Sequence, residues 1–363
     1  MGKETGAGRR RKKQQEAERP RRSAREWLHD FLALFQKEDT VLVAINADPD
    51  ALAAAMAVKR LLRYRVRSVA IGYPNEIRRL NNLTMVGLLK IPAERLQAMK
   101  GREFTKRVLV DSQPGHHPAF ENLKFDAVID HHPLTSGWSA PFVDIRPNYG
   151  ATASIMVEYL RAAGMKPSVA LATALFYAIK VDTQNFEKKA TQADAISFRY
   201  LFAIANQVII RKIELSDLRL SELNYFRQAL TEMKLTKGRL YAHIGRVRTP
   251  DVLVIIADFF NQVAQISWVF VSGIHGERLV VIFRCDGYKK NAGRLAEKIF
   301  GPVGSAGGHR ECARAEVPLK NLPGQGQEFT TRTLMRLTTK HLPKDDGQAK
   351  SRQAADSRAT NGS

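Results

Sequence analysis

Val128-Ile129-Asp130-His131-His132-Pro133 closes a strand-like run, begun at Phe125, on one carboxylate and two imidazoles. Groups of this kind at a strand end suit divalent-metal and phosphate chemistry, because hard oxygens and an imidazole together hold a cation that can polarise a phosphoryl oxygen. Three further acidic positions have compatible settings. Asp48-Pro49-Asp50 follows the β-rich run Thr40 to Ile45. Asp111 follows Val108-Leu109-Val110, and Asp182 follows the helical stretch Ala178-Ile179-Lys180-Val181. Two carboxylates two residues apart repel each other unless a cation lies between them. Each position also has a plain structural use: Asp50 as the N-cap of a helix starting at Ala51, Asp111 as a turn residue, Asp182 as a helix terminus. Their joint occurrence is what favours a metal site. An oxygen-rich donor set with one imidazole favours Mn²⁺ or Mg²⁺ over zinc.

These residues need elements that converge on one place. Strand patterns at 40–45, 68–72, 107–110 and 125–129 alternate with helical patterns at 24–35, 51–62 and 75–89. Such alternation predicts an α/β fold with a doubly wound, mainly parallel sheet, whose ligands lie beyond the carboxyl ends of the strands. Helical stretches follow at 150–161, 169–180, 194–204 and 217–233. A second, smaller α/β domain then opens near Arg239, with strands at 240–247, 266–274 and 278–284 and helices at 252–263 and 291–300. The domain reading is a disordered basic tail at 1–23, a metal-binding catalytic domain at 24–205, and a helical connector at 206–236. A substrate-binding domain at 237–322 and a basic, disordered tail at 323–363 complete it.

Charge narrows the class of partner. The chain has 363 residues, with 57 Lys+Arg against 36 Asp+Glu, and a formal net charge of +21. A polyanionic substrate or partner follows from that imbalance. The N-terminal arm cannot bury apolar surface, and nonspecific RNA contact through the basic tails is an expectation of the same kind. No apolar run approaches the length of a membrane span, so the expectation is a cytoplasmic protein without membrane contact. Cys285 and Cys312 have no metal-ligand spacing and read as buried thiols.

Asn46-Ala47-Asp48-Pro49-Asp50-Ala51, Val110-Asp111-Ser112-Gln113-Pro114, Ile129-Asp130-His131-His132-Pro133 and Lys180-Val181-Asp182-Thr183 resemble, in order, the four motifs of the DHH phosphoesterases. Gly150-Ala151-Thr152-Ala153 resembles the helix start typical of that family, and Gly307-Gly308-His309 the signature of the DHH-associated C-terminal domain. Within the family the likeness is strongest to the bacterial oligoribonuclease and 3′-phosphoadenosine 5′-phosphate (PAP) phosphatase type. The resemblance implies a phosphodiesterase or phosphatase with two Mn²⁺ ions, Mg²⁺ being an alternative. Asp111 would bridge the ions; Asp50, His131 and Asp182 would complete one site, and Asp48 would serve the other. His132 would contact the scissile phosphate, with Asp130 orienting its neighbouring imidazole, and a metal-activated water would attack phosphorus. Arg284, Gly307, Gly308 and His309 would hold the rest of the nucleotide. Substrates so implied are very short oligoribonucleotides, linear or cyclic dinucleotides, and PAP; a homodimer is compatible with the family.

One position departs from the pattern. The family's first motif begins with a His six residues before its second Asp, and here that position is Ala44. The Asp48 site should be weaker for it, Ala44→His should raise metal affinity, and His116 or His117 is the nearest substitute in sequence. The rival reading is a nucleotide- or RNA-binding regulator on a weakened DHH scaffold.

Overall fold

Val41, Val43 and Ile45 of β1 (Thr40–Ile45) enter one apolar cluster and Leu42 and Ala44 enter another. A strand buried on both faces belongs in the middle of a covered parallel sheet. The computed structural model, which describes residues 22–187, 190–216, 218–287, 290–322 and 329–342, places it there. All five pairings of the first sheet are parallel, in the order β3-β2-β1-β4-β5-β6. Its other strands are β2 (Ser68–Tyr73), β3 (Ala93–Arg95), β4 (Lys106–Val110), β5 (Ala127–Asp130) and β6 (Phe142–Ile145). The order reverses between β1 and β4. That reversal opens a crevice beyond the carboxyl ends of those two strands.

The helices flank this sheet. α1 (Ala24–Leu32), begun by the capping box of Ser23 and Glu26, packs on the larger cluster with α2 (Pro49–Leu62) and α3 (Leu80–Leu89). α5 (Thr152–Ala162), α6 (Val169–Asp182), α7 (Gln192–Phe202) and α8 (Gln207–Glu214) join the same layer. The opposite face is thinner. There the 3₁₀ turn Leu96–Met99 and α4 (Pro118–Glu121) contribute Met99 and Phe120 to a cluster with Leu42, Ala44, Leu109 and Val128.

The chain divides into two units, residues 1–216 and 217–363. The second carries a mixed sheet in the order β11-β12-β10-β9-β8-β7. Its strands are β7 (Lys234–Thr236), β8 (Arg239–Arg246), β9 (Trp268–His275), β10 (Arg278–Cys285), β11 (Ser305–Gly308) and β12 (Cys312–Pro318). Among the described residues of this sheet, only β8 and β9 pair in parallel. α9 (Leu223–Glu232) and α10 (Asp251–Asn261) cover one face, α11 (Ala292–Phe300) and α12 (Thr331–Thr339) the other.

Several elements differ from the sequence expectations. The helix expected from 75 starts at Leu80, and that expected from 217 starts at Leu223. Residue 217 lies outside the described residues, as do 1–21, 323–328 and 343–363 of the expected tails. α12 falls within the stretch read as a disordered tail. Leu334 packs into the second unit's core and Thr331 receives the His243 amide at 3.0 Å, so one helix face is buried while Arg332, Arg336 and Lys340 stay exposed. Cys285 is buried and Cys312 only half-buried. No single helix among the described residues is long and apolar enough to cross a membrane.

Candidate metal centre

Asp48 and Asp50 leave β1 on the first turn of α2, and Asp111 leaves β4, so the crevice at the strand-order reversal collects three carboxylates. Pro49 is the first residue of α2, and the cap is therefore Asp48, whose Oδ1 accepts from the Ala51 amide at 2.9 Å. The capping role expected of Asp50 belongs to Asp48. Asp50 is buried inside the turn and reaches across to α5. Its two oxygens accept from the Thr152 and Ala153 amides at 2.7 and 2.8 Å, a carboxylate on the positive end of a helix. Thr152 then donates through Oγ1 to Asp111 at 2.8 Å. Gly150-Ala151-Thr152-Ala153 thus ties two acidic strands' ends to one helix start, a role its sequence alone did not disclose. Asp111 has φ +57, a left-handed conformation uncommon outside glycine and most tolerable for Asp and Asn. Its amide nonetheless keeps the ladder bond to Ile129 at 2.8 Å.

β5 supplies the imidazoles. His131 Nδ1 lies 3.1 Å from the Tyr149 carbonyl, an acceptor, so Nδ1 carries hydrogen and Nε2 faces the carboxylates. Nε2 stands 3.1 Å from Asp182 and 3.6 Å from Asp111. Tyr149 is itself anchored: its hydroxyl donates to Glu158 at 2.8 Å. Arg146 binds that glutamate at 2.6 Å and grips Asp144 with two bonds of 2.8 Å. His132 Nδ1 binds Asp130 at 2.8 Å, leaving Nε2 without a hydrogen-bond partner among the described residues on a half-exposed ring. Asp130 is wholly buried and offsets its charge with donors: His132, the His131 amide at 2.8 Å and the Gln113 side-chain amide at 2.7 Å.

Gln113, in the second motif, holds both strand-end histidines' surroundings in place. Its Oε1 also accepts from the Thr135 amide and hydroxyl at 2.7 and 2.8 Å, locking the turn that carries His131 and His132. Gln113→Ala leaves a buried Asp130 oxygen and the Thr135 amide short of partners. The expected cost is about 1–3 kcal/mol, read as a lowered midpoint in urea denaturation; an unchanged midpoint would mean that water replaces the amide fully.

Among the described residues, three groups of side chains bring ligand atoms close enough to hold a cation: Asp50 with His131 and Asp182, Asp111 with His131 and His132, and His116 with Asp130 and His132. Asp48 enters none of these among the described residues; its carboxylate caps α2 at the exposed mouth of the site. Ala44 is fully buried and shares an apolar cluster with Leu109, Phe120 and Val128. An imidazole at 44 has to displace that packing, at about 1–3 kcal/mol, which offsets the affinity gain expected of Ala44→His. His116 stands with its ring 5.5 Å from that of His132, whereas His117 caps α4 through the Ala119 amide.

The crowding perturbs proton affinity. Burial, reinforced by Asp182, pushes Asp50 up to about 7. Burial and the neighbouring Asp50 and Asp48 hold Asp111 well above the carboxylate range. Burial works against the charged form of His131, but the hydrogen bond it donates to Asp182 and the charge of Asp50 outweigh it and raise the ring to about 9. Asp130 goes the other way, since the His132 and Gln113 bonds overcome its burial and hold it below the ordinary value. A buried set of carboxylates that takes up protons in this way has the donor chemistry of a cation site, oxygen-rich with one oriented imidazole.

The nucleotide-grip residues expected in the second unit are placed as follows. Arg284, on β10, is bound to Asp258 at 2.6 Å. Gly307 and Gly308 lie in β11 rather than in a loop, paired with Arg314 and Ala313. A Cβ at Gly308 would come within 2.4 Å of the Cys312 carbonyl, so the hairpin itself demands glycine there. His309 donates its amide to the same carbonyl at 2.8 Å and accepts from the Gly293 amide at the start of α11.

Residues 40–179, from β1 nearly to the end of α6, match the DHH family, N-terminal domain. An uncharacterized protein of Methanocaldococcus jannaschii is 33% identical over 281 residues, 77% of this chain and 58% of that one, so the chain spans little more than half the length of that relative. An exopolyphosphatase-related protein from Bacteroides fragilis has the same fold, with a TM-score of 0.66 at 14% identity over 89% of this chain and 97% of the other. RecJ from Thermus thermophilus, solved in complex with Mn²⁺, is similar at a TM-score of 0.50 and 14% identity, over 90% of this chain and 56% of RecJ.

Proposed function

We propose that this chain is a metal-dependent phosphoesterase that hydrolyses short nucleotides: very short oligoribonucleotides, linear or cyclic dinucleotides, or PAP. The observation that carries the reading is the convergence of Asp50, Asp111, His131 and Asp182 at the strand-order reversal, with Nε2 of His131 turned toward the carboxylates. Asp50, Asp111, His131 and Asp182 would hold the metal, Mn²⁺ by analogy with the RecJ structure, and Asp48 would serve a second ion at the mouth. Bound there, the metal would supply Lewis-acid polarisation of the phosphoryl group and an acidified water.

The chain's own groups divide the remaining work. The start of α5 fixes Asp50 and Asp111 at once, so the cation donors are set before substrate arrives. Asp130 keeps the proton of His132 on Nδ1 and, through the 2.8 Å bond, raises that ring's proton affinity. His132 would accordingly offer a charged Nε2 to a phosphate oxygen or leaving group. Within the second unit, Arg284 and His309 would contact nucleotide, a role that rests on the family resemblance. The exposed cations of α12 and the basic tails would add salt-dependent contact with longer RNA.

The test is release of mononucleotide from the linear dinucleotide pApA and of phosphate from PAP, each with Mn²⁺ or with EDTA. Turnover that requires Mn²⁺ is the expected result, and the ratio of the two rates selects the substrate class. Absence of turnover with every substrate, alongside retained nucleotide binding, would replace the enzyme by the binding-regulator reading.

A further inference from the structure

A cavity of about 480 Å³ opens at the other end of α2, where Lys59, Arg60, Arg63, Tyr64, Arg67 and Ser168 are among its lining residues. Ser68 begins β2 there, so this is the amino end of the first sheet, whereas the acidic cluster lies at the carboxyl end. α2, with 14 residues, separates the two by about 21 Å.

Three features of the lining point to one kind of ligand. The first is charge. Four cationic side chains and no carboxylate line the space, and among the described residues Arg60, Arg63 and Arg67 meet no acidic partner. Protein surfaces ordinarily intersperse the two signs, and guanidiniums gathered without carboxylates match phosphate oxygens. The second feature is Tyr64. It follows the last turn of α2 at φ +69, where glycine is the usual residue, and the residue is 79% exposed. The Arg63 guanidinium lies 4.8 Å from the ring centre, so one flat cationic and one flat aromatic group already stack at the rim. The third is shape. Met56, Val66 and Leu171 give apolar walls, and Ser168 caps α6, bringing the positive end of that helix to the same space. The volume is that of a small-molecule site.

We propose that this cavity binds a nucleoside di- or triphosphate, with the base on Tyr64 and the phosphates against Arg60, Arg63 and Arg67, at a site separate from the acidic cluster. The proposal does not depend on the phosphoesterase reading, because it uses none of the same residues.

Calorimetric titration of ADP into the full chain in EDTA tests it, with inorganic pyrophosphate as the probe for the phosphate half alone. The expected result is saturable binding of both. Tyr64→Gly should weaken ADP at least tenfold and leave pyrophosphate unchanged, and the fold is kept because glycine adopts this conformation freely. Arg67→Gln should weaken both probes. Hydrogen exchange should slow over residues 56–69 when ADP is added. Mn²⁺-dependent turnover of Tyr64→Gly, measured without added ADP, should equal that of the parent chain. ADP affinity unchanged in both variants, or binding of single-stranded RNA but not of ADP, would overturn the proposal.

Discussion

Alanine at position 50 is expected to remove metal-dependent hydrolysis, with turnover falling by roughly a thousandfold or more, which corresponds to about 4 kcal/mol of lost transition-state stabilisation. Asp50 sits where α2, α5 and α6 meet. Its oxygens take the Thr152 and Ala153 amides, and it groups with His131 and Asp182 as cation donors. Substitution therefore removes a ligand and the outside cap of α5 together. The two losses separate by experiment. Asp50→Asn keeps an acceptor for one amide but lacks the charge, so it should lose less stability than Asp50→Ala and yet remain as inactive. The parent should gain thermal stability in proportion to the logarithm of Mn²⁺ concentration above its Kd, about 2.7 kcal/mol at a hundredfold excess. Neither variant should show that gain at the same concentrations. Turnover above about a tenth of the parent's in Asp50→Asn would take Asp50 out of the metal centre altogether.

The parts of this site that could be read in the sequence were those in which the chemistry sits at the end of a local pattern. β4 and β5 are short apolar runs that end beside or on an acidic residue, β1 is one that reaches Asp48 three residues later, and their alternation with helices placed those ends on one edge of a parallel sheet. Long-range partners gave no comparable signal. Gln113 is an unremarkable turn amide in the sequence; its weight comes from Asp130 and Thr135, about twenty residues away. Thr152 looks like a helix-start residue until Asp111 appears beside its hydroxyl. Arg146, Asp144, Glu158 and Tyr149 matter because they hold one carbonyl against His131, and no spacing rule encodes a carbonyl. α12 has little sequence signal for a compositional reason: Leu334 and Thr338 face inward among threonines and arginines, a weak apolar stripe in a basic stretch. β12 presents Ala313, Ala315 and Val317 to the core, a period-two pattern written mostly in alanine, which has little strand preference of its own.

Metal affinity should depend steeply on pH, and the direction follows from the groups that must lose protons. Without a cation, Asp50 is protonated below about 7 and His131 below about 9, and both must be unprotonated toward the metal. Mn²⁺ binding therefore displaces at least one proton between pH 9 and 7 and a further one below 7, with any proton held on the raised Asp111 carboxyl released as well. Affinity should weaken by about tenfold or more per pH unit in the upper range and more steeply in the lower. Stability without metal has the matching sign. A carboxyl raised in the folded state makes the native form bind the extra proton, so the contribution of Asp50 falls as pH rises from the ordinary carboxylate value toward 7. The charged His131 contributes stability that is complete below its unfolded pKa, near 6.5, and lost as pH rises through 9. Metal-free protein should thus lose stability from pH 5 to 9 through these two groups, while the Mn²⁺-induced rise in melting temperature grows over the same range. Calorimetry in buffers of different ionisation enthalpy counts the released protons directly. Metal binding that releases no protons at pH 7 would place the cation outside the Asp50–His131–Asp182 group, and with it the proposed chemistry.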